Sequence, residues 1–167
     1  WNRTAWNNPT PLYSDNPYWT IYENISTDKR VRTFGSAGLT YNFNKNFYAV
    51  GKVYGDTYSL TDTQIVAKGS AAISGYSINK RNRSEYNYEG RLHFDKNFGE
   101  FSVNSLVGGN YRDSKADRLS SNTVGGLVIP NVYNLSNGLS AAQSTNFESH
   151  IAVKSLFYYV SLGYKDM

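Results

Sequence analysis

Apolar and polar residues alternate along much of this chain, a pattern typical of β-strands whose two faces meet different surroundings. Between Val31 and Phe43 the odd positions are mostly apolar or small, and the even positions are mostly polar. Asn44-Lys45-Asn46 then supplies turn-forming residues, and a second alternating run follows directly from Phe47. We therefore predict a β-hairpin over residues 31–58.

A second hairpin is predicted over residues 84–112, where the alternation is cleanest. One face of its first strand carries apolar and small residues from Tyr86 to Phe94. The other face carries a polar row, which consists of Glu85, Asn87, Glu89, Arg91 and His93. A fifth strand over 148–164 has apolar residues on both faces, so its phase stays open.

The predicted connections differ strongly in length. The two hairpins close through short turns. Residues 59–83 and 113–147 form long connections that are rich in Ser, Asn, Gly and Thr, and residues 1–30 precede the first hairpin. Outer-membrane barrels combine short periplasmic turns with long extracellular loops. We therefore predict an all-β fold, an antiparallel transmembrane β-barrel segment of about five strands, with those three stretches as extracellular loops. Because single-chain membrane barrels have at least about 8 strands, we expect the chain to be a piece of a longer protein.

Aromatic residues flank both predicted short turns. In a barrel they would lie at one membrane interface and form an aromatic girdle. In a soluble β-sandwich they would instead be core residues. The six candidates for the girdle are Tyr41, Phe43, Phe47, Phe94, Phe98 and Phe101.

Composition and charge narrow the function classes. Cysteine is absent, so there is no disulfide framework, and no run of residues reaches the ~18 apolar positions of a membrane helix. The net charge is +4, but basic residues are interleaved with acids, which argues against a nucleic-acid partner. The two histidines, His93 and His150, belong to no catalytic or metal-ligand pattern. We therefore predict neither enzymatic activity nor a cofactor or metal.

Two segments concentrate large apolar side chains among turn-forming residues. They are NPYWTIYEN, Asn16 to Asn24, and GGLVIPNVYNLSN, Gly125 to Asn137. Aromatic residues in such segments usually pack against a neighbour or bind a partner. The residues before NPYWTIYEN include three further aromatics, Trp1, Trp6 and Tyr13. The candidate contact residues are Tyr18, Trp19, Tyr22, Ile129 and Tyr133.

The chain resembles a mid-barrel segment of the SusC/RagA-like TonB-dependent transporters of Bacteroidetes-type bacteria. The resemblance rests on NPYWTIYEN followed by RVRTFGSAGLTYNF, on GGLVIPNVYNLSN, and on the final KSLFYYVSLGYKDM, which occur in the family's order and spacing. Family members more often have small residues where this chain has Tyr158 and Tyr159. That departure leaves the local assignment of the last strand in doubt.

The resemblance implies a barrel of about 22 strands in the outer membrane, with a plug domain inside it. It further implies uptake of oligosaccharides or peptides, driven by the TonB complex through a plug that this chain does not contain. A SusD-like surface lipoprotein would cover the barrel as a lid. The polar row would then face the lumen, where contact with the plug is favoured over contact with substrate. Three roles stay open for the candidate contact residues: packing between loops, contact with the lid, and ligand stacking.

Two alternatives compete with this interpretation. The first is a passive outer-membrane porin or another barrel. The second is a soluble, secreted β-sandwich that serves as an adhesin or a carbohydrate-binding module. The substrate cannot be chosen from loop composition, because glycans and peptides suit it about equally.

Overall fold

A computed structural model of the chain describes residues 14–165, so Trp1, Trp6 and Tyr13 lie outside the described residues. It contains one α-helix and five β-strands, and a short 3-10 helix lies at Leu135–Asn137. The bounds are α1 Pro17–Glu23, β1 Ser26–Asn44, β2 Phe47–Val66, β3 Gly75–Phe98, β4 Phe101–Leu127 and β5 Gly138–Tyr164.

All five strands belong to one antiparallel sheet, in the order β1-β2-β3-β4-β5. Neighbours in the sequence are therefore neighbours in the sheet, as antiparallel hairpins require. The predicted all-β class with five antiparallel strands is confirmed. A β-sandwich would need a second sheet packed on the first, whereas the strands of residues 14–165 form a single sheet.

The strands extend well beyond the predicted hairpins. The connection between β2 and β3 covers only 67–74, and the one between β4 and β5 covers only 128–137. The predicted bounds of the loops, 59–83 and 113–147, are therefore wrong in extent. Polar side chains pair across these strands, as in Asn79 Nδ2 donating to Asp62 Oδ1 at 2.9 Å and in the Ser121–Ser144 hydroxyl contact at 2.8 Å. Because serine, threonine and asparagine occur on both faces of these parts of the strands, apolar and polar residues do not alternate there, and the sequence does not indicate a strand.

The stretch NPYWTIYEN contains a helix, which the prediction of a loop over 1–30 missed. Asn16 caps α1, since its side chain accepts a hydrogen bond from the Tyr18 amide at 2.9 Å. Pro17 follows at the first helical position, where its fixed φ angle suits the helix and no amide hydrogen is lost from the ladder. The Asn-Pro pair thus starts a helix here, although it reads equally well as a turn.

The described residues divide into two compact units. The first comprises 14–31, 59–82 and 117–148, and the second comprises 32–58, 83–116 and 149–165. In the second unit, contacts between neighbouring strands show which residues share a face. Tyr48 of β2 stacks on His93 of β3, and Asn110 of β4 donates to Asn87 of β3 at 2.6 Å. These residues belong to the face that we call the polar face.

The opposite face of the second unit is apolar, and we call it the apolar face. Ring contacts define it, such as Phe43 with Phe47 at 5.2 Å and Tyr88 with Tyr111 at 6.2 Å between centroids. Its large side chains are largely exposed, and they include Leu39, Tyr41, Phe43, Val53, Tyr88, Leu92, Phe101, Val107, Leu156, Tyr158, Val160 and Leu162.

The phase of β5 is settled by three contacts with β4. Lys154 lies over the Tyr111 ring, and Tyr164 packs beside Phe101 at 4.9 Å, so the even residues belong to the apolar face. Phe157 covers the backbone of Gly108 on the polar face. The alternation is therefore unbroken from Lys154 to Tyr164.

Substituting Gly108 by alanine should destabilise the sheet. A Cβ atom there would lie 2.5 Å from two Phe157 ring atoms and 3.0 Å from the Gly90 carbonyl oxygen. We expect Gly108→Ala to lower the free energy of unfolding of the intact protein by about 1–3 kcal/mol, the usual range for overpacking. Denaturant titration measures this change.

The matched control is Gly90→Ala, because nothing lies within 4 Å of a Cβ atom built at that residue. It should stay within about 0.5 kcal/mol of the wild type. Equal stability of the two variants would show that Phe157 moves aside without cost.

Candidate functional site

Three connecting segments of the first unit are held together by hydrogen bonds. Asp15, before α1, accepts from the Ser70 hydroxyl and from the Ala71 amide. Asn24 Oδ1, after α1, accepts from the Ala67 amide at 2.8 Å. Lys68 Nζ lies 3.5 Å from the Val128 carbonyl oxygen. We call the three segments, residues 14–25, 67–74 and 128–137, the connection cluster.

The predicted contact residues occupy different environments within the connection cluster. Trp19 is only 5% exposed, so it packs inside the unit and is not presented to a partner. Tyr18, Tyr22 and Ile129 are exposed. Burial raises the pKa of the Tyr133 hydroxyl above its ordinary value, and the carboxylate of Glu23 in α1 raises it further.

Asn137 organises the connection between β4 and β5. Its side chain is buried, at 6% exposed, and its amide nitrogen donates to the carbonyls of Ile129 at 2.8 Å and Val132 at 2.6 Å. Its side-chain oxygen accepts from the Ile129 amide at 3.0 Å, and its backbone carbonyl accepts from the Val128 amide at 2.9 Å. One side chain thus fixes the backbone that carries the exposed Ile129.

Two glycines with positive φ angles lie just before this connection, at the end of β4. Gly125 and Gly126 have φ angles of +80° and +98°, which side chains other than glycine rarely adopt. Exposed Leu139 lies beside Gly125, and exposed Ile73 lies beside Gly126. Ile73 and Ile129 of the connection cluster, together with Leu139 at the start of β5, are therefore exposed apolar groups next to a constrained backbone.

The polar row predicted on β3 lies on the polar face of the second unit, and each member has a neighbour there. Glu85 pairs with Arg83 at 3.3 Å, and Glu89 pairs with Arg91. Asn87 accepts from Asn110, and the His93 ring stacks on Tyr48 with centroids 4.5 Å apart. The row is therefore held in place and half-buried along most of its length.

Two ion pairs, Arg32–Asp56 and Arg83–Glu85, border a cavity of about 330 Å³ on the polar face. Arg32 makes a two-point contact with Asp56, with Nε–Oδ1 at 3.0 Å and Nη2–Oδ2 at 2.7 Å. The cavity is lined by these two residues and by Tyr58, Arg83 and Glu85. Guanidinium, carboxylate and phenol groups provide both donors and acceptors, so the cavity can bind a polar solute or polar protein groups.

All six residues predicted for the aromatic girdle lie on the apolar face, close to the short turns at Lys45-Asn46 and Gly99-Glu100. Tyr41 meets Phe43 edge to face at 4.9 Å, and Phe43 packs on Phe47. Lys96 Nζ stands 4.8 Å from the centroid of the Phe98 ring. The structure places the six aromatics on one face beside the short turns and brings Tyr41, Phe43 and Phe47 into contact. Their contact with a membrane interface stays a prediction.

Among residues 14–165, no group of three or more His, Cys, Asp or Glu side chains is placed to hold a metal ion. No helix in that range is both long and apolar enough to cross a membrane.

Comparison of the sequence with protein-family profiles and with curated proteins gives no match. Among solved structures, the chain is similar to a chain in the structure of the RagAB peptide transporter. The TM-score is 0.80 at 10% sequence identity, and the match covers 92% of this chain and 18% of the RagAB chain. At this identity the likeness establishes the fold alone, and the chain spans less than a fifth of the neighbour's length.

Sequence reasoning missed two features of these sites. Arg32 and Asp56 fall on the same face of the predicted 31–58 hairpin, at diagonal positions on the two strands, so their opposite charges were a usable signal. Asn137 carried no signal, because an asparagine in a turn-rich segment does not reveal how many carbonyls its amide will reach.

Substituting Asn137 by alanine should loosen the 128–137 segment. The change leaves two carbonyls and one amide without their partner. These groups are only partly buried, so each loss should cost up to about 1–3 kcal/mol, the penalty of a buried unpaired group. We expect amide hydrogen exchange of this segment in the intact protein to rise by at least about tenfold.

Asn146→Ala is the matched control, since Asn146 is exposed and bonds only to Glu148 two residues away. Its exchange should match that of the wild type. Unchanged protection in Asn137→Ala would show that the segment is held by other contacts.

Proposed function

We propose that this chain is part of the barrel of a SusC/RagA-like, TonB-dependent importer in the outer membrane of a Gram-negative, Bacteroidetes-type bacterium. The importer takes up oligosaccharides or peptides and works with a SusD-like lipoprotein. The segment itself performs no covalent chemistry and needs no cofactor. The likeness of the fold to a chain of the RagAB peptide transporter supports the proposal.

The observation that carries the proposal is the uncharged band on the apolar face. On β4 it runs from Phe101 to Tyr111, and the next residue on that face is Asp113. Ten residue steps of about 3.3 Å, tilted by about 45°, give a height of roughly 23 Å. That is close to the apolar band of about 25 Å in outer-membrane barrels.

The two faces of the sheet have different roles in this proposal. The apolar face meets lipid, and the aromatic residues beside the short turns lie at one interface. The polar face lines the lumen, where the row from Glu85 to His93 and the cavity beside Arg32 contact a plug or the passing solute. A wide barrel needs such a polar wall.

The connection cluster is the part of the chain that we assign to the extracellular side. Trp19 and Asn137 stabilise it internally. Ile73 and Ile129 of the cluster, with Leu139 of the adjoining β5, remain exposed for a lipoprotein lid. Apolar residues at the centre of a patch with polar surroundings are typical of protein interfaces. An uptake assay decides whether the transported substrate is an oligosaccharide or a peptide.

Tyr158 and Tyr159 provide a matched pair that tests the membrane assignment. They are adjacent in β5, with Tyr158 on the apolar face at 82% exposed and Tyr159 on the polar face at 53% exposed. In water, an arginine at either position should be nearly neutral. In a bilayer, Tyr158→Arg should cost about 2–4 kcal/mol, and Tyr159→Arg should cost little.

The measurement is the folding free energy of the intact protein in lipid vesicles, supported by its yield in the outer-membrane fraction. Equal effects of the two substitutions, or recovery of the wild type as a folded soluble protein, would contradict the barrel. Uptake of labelled peptides and oligosaccharides, with and without a functional TonB complex, then tests import. Transport without TonB would favour a passive pore.

A further inference from the structure

Two arginines of the first unit lie directly opposite each other on neighbouring strands. Asn82 Nδ2 of β3 donates to Asp117 Oδ2 of β4 at 2.8 Å, so these two residues are cross-strand partners. In an antiparallel pair, the residue before one partner opposes the residue after the other. Arg81 therefore faces Arg118, on the side of the sheet opposite to Asn82 and Asp117.

Contacts on the side that carries Arg81 and Arg118, which we call the arginine face, give the same register. Ser120 donates to Asn79 Oδ1, and Asn79 Nδ2 donates to Asp62 Oδ1 of β2 at 2.9 Å. Side chains that face each other in a sheet have Cβ atoms about 4.5–5.5 Å apart. Both guanidinium groups can therefore reach one ligand.

The arginine face carries more cations than carboxylates. Among residues 14–165, neither Arg81 nor Arg118 takes part in an ion pair or a side-chain hydrogen bond, and both residues are exposed. Asp62 lies diagonally across from Arg81 and already accepts a hydrogen bond from β3. The other charged strand residues of the unit on this face are Asp28 and Arg30 of β1, which is about 10 Å from β3.

Phe147 of β5 gives the arginine pair an apolar neighbour. The hydroxyls of Ser121 and Ser144 are in contact at 2.8 Å across β4 and β5, and this register places Phe147 opposite Arg118. Phe147 is 62% exposed. The residues opposite Arg118 on its two neighbouring strands are thus Arg81 and Phe147, neither of which is acidic.

Facing like charges reduce the stability of a sheet. Three other arginines of the chain are in ion pairs, namely Arg32 with Asp56, Arg83 with Glu85 and Arg91 with Glu89. A local conflict such as that between Arg81 and Arg118 is expected at a functional site. There a ligand would supply the missing negative charge.

We propose that Arg81 and Arg118 bind the C-terminal carboxylate of a peptide solute, and that Phe147 contacts the adjoining side chain. The inference rests on the proposed function, because it takes the imported solute as the ligand. Guanidinium groups present paired N–H donors that match the two oxygens of a carboxylate. Every linear peptide with a free C-terminus carries this group, whereas an oligosaccharide is uncharged unless it contains acidic sugars. The arginine face therefore favours a peptide.

Two peptides that differ only in their end group test the site. Acetyl-alanyl-alanyl-phenylalanine and its C-terminal amide are titrated into the intact protein in mild detergent, and calorimetry gives both Kd values. We expect the wild type to bind the acid at least about tenfold more tightly than the amide, because hydrogen bonds between charged groups are the stronger ones. This preference should disappear in Arg81→Gln/Arg118→Gln.

Lys29→Gln/Lys80→Gln is the matched control, because it removes two positive charges from the opposite side of the same unit. It should keep the preference for the acid. The double arginine variant should stay folded by β-sheet circular dichroism, since it removes repulsion between facing cations; the single variant Arg118→Gln repeats the test with one change. Equal binding of acid and amide by the wild type, binding of neither, or an equal loss in the control would overturn the site.

Trigalacturonate is the third probe, because it carries its carboxylates on sugar rings. Weaker binding than that of the peptide acid supports the peptide assignment. Tighter binding that is lost in the double arginine variant would assign the site to acidic oligosaccharides and overturn the assignment to peptides.

Uptake measurements separate this inference from the proposed function. If peptides are imported in a TonB-dependent manner but the acid and the amide bind and enter equally well, the carboxylate site alone fails. If the acid is bound through Arg81 and Arg118 but neither peptides nor oligosaccharides are imported, the importer fails and the carboxylate site stands.

Discussion

The register of five paired strands is the constraint on which the rest of the second unit depends. Alternate residues of a strand point to opposite faces, so a slip of one residue would exchange the two faces completely. Contacts on both faces of the β3–β4 pair agree on one register: Asn87 with Asn110 on the polar face, and Tyr88 with Tyr111 on the apolar face. One backbone arrangement therefore separates two chemically different surfaces.

Short turns hold this register in place. Gly99 has a φ angle of +66°, which lets β3 and β4 connect through Gly99 and Glu100 alone. At the other turn, the Asn44 side chain accepts from the Asn46 amide at 2.9 Å. A turn this short leaves little freedom to shift the pairing, so the aromatic residues beside it keep their face. In the first unit the pairing is supported differently, by hydroxyl and amide contacts such as Thr27 with Thr63 at 2.6 Å.

Sequence patterns were sufficient where the two faces differ in polarity. The alternation from Glu85 to Phe94 identified both the polar row and its apolar counterpart, and the structure places each set on one face. The same reasoning fails where serine, threonine and asparagine occupy both faces, so it predicts loops at the outer parts of β2, β3, β4 and β5. It left β5 undecided, because Phe157 and Tyr159 are aromatic on the polar face. There a small partner, Gly108, makes room for Phe157, a relation between residues far apart in the sequence.

The prediction of a loop at α1 was wrong for a different reason, because Asn16 and Pro17 are equally suited to a turn and to the start of a helix. Tertiary contacts decide between the two. Trp19 is buried, and Asp15 and Asn24, which flank the helix, accept hydrogen bonds from the 67–74 connection. A helix of two turns is unstable alone, so these anchors stabilise it. Local signals can indicate where such a helix could begin, but only the neighbouring segments determine that it forms.

The distribution of charge on the polar face also explains why the solute cannot be deduced from composition. Each of the arginines Arg32, Arg83 and Arg91 has a carboxylate partner on the same face. Paired charges offer many hydrogen-bond donors and acceptors but produce a weak net field, which screening by salt reduces further. Such a surface suits the hydroxyls of an oligosaccharide and the amides and termini of a peptide alike. Selectivity at the polar face must therefore come from the geometry of whatever fills the space beside it, rather than from the sign of its charge.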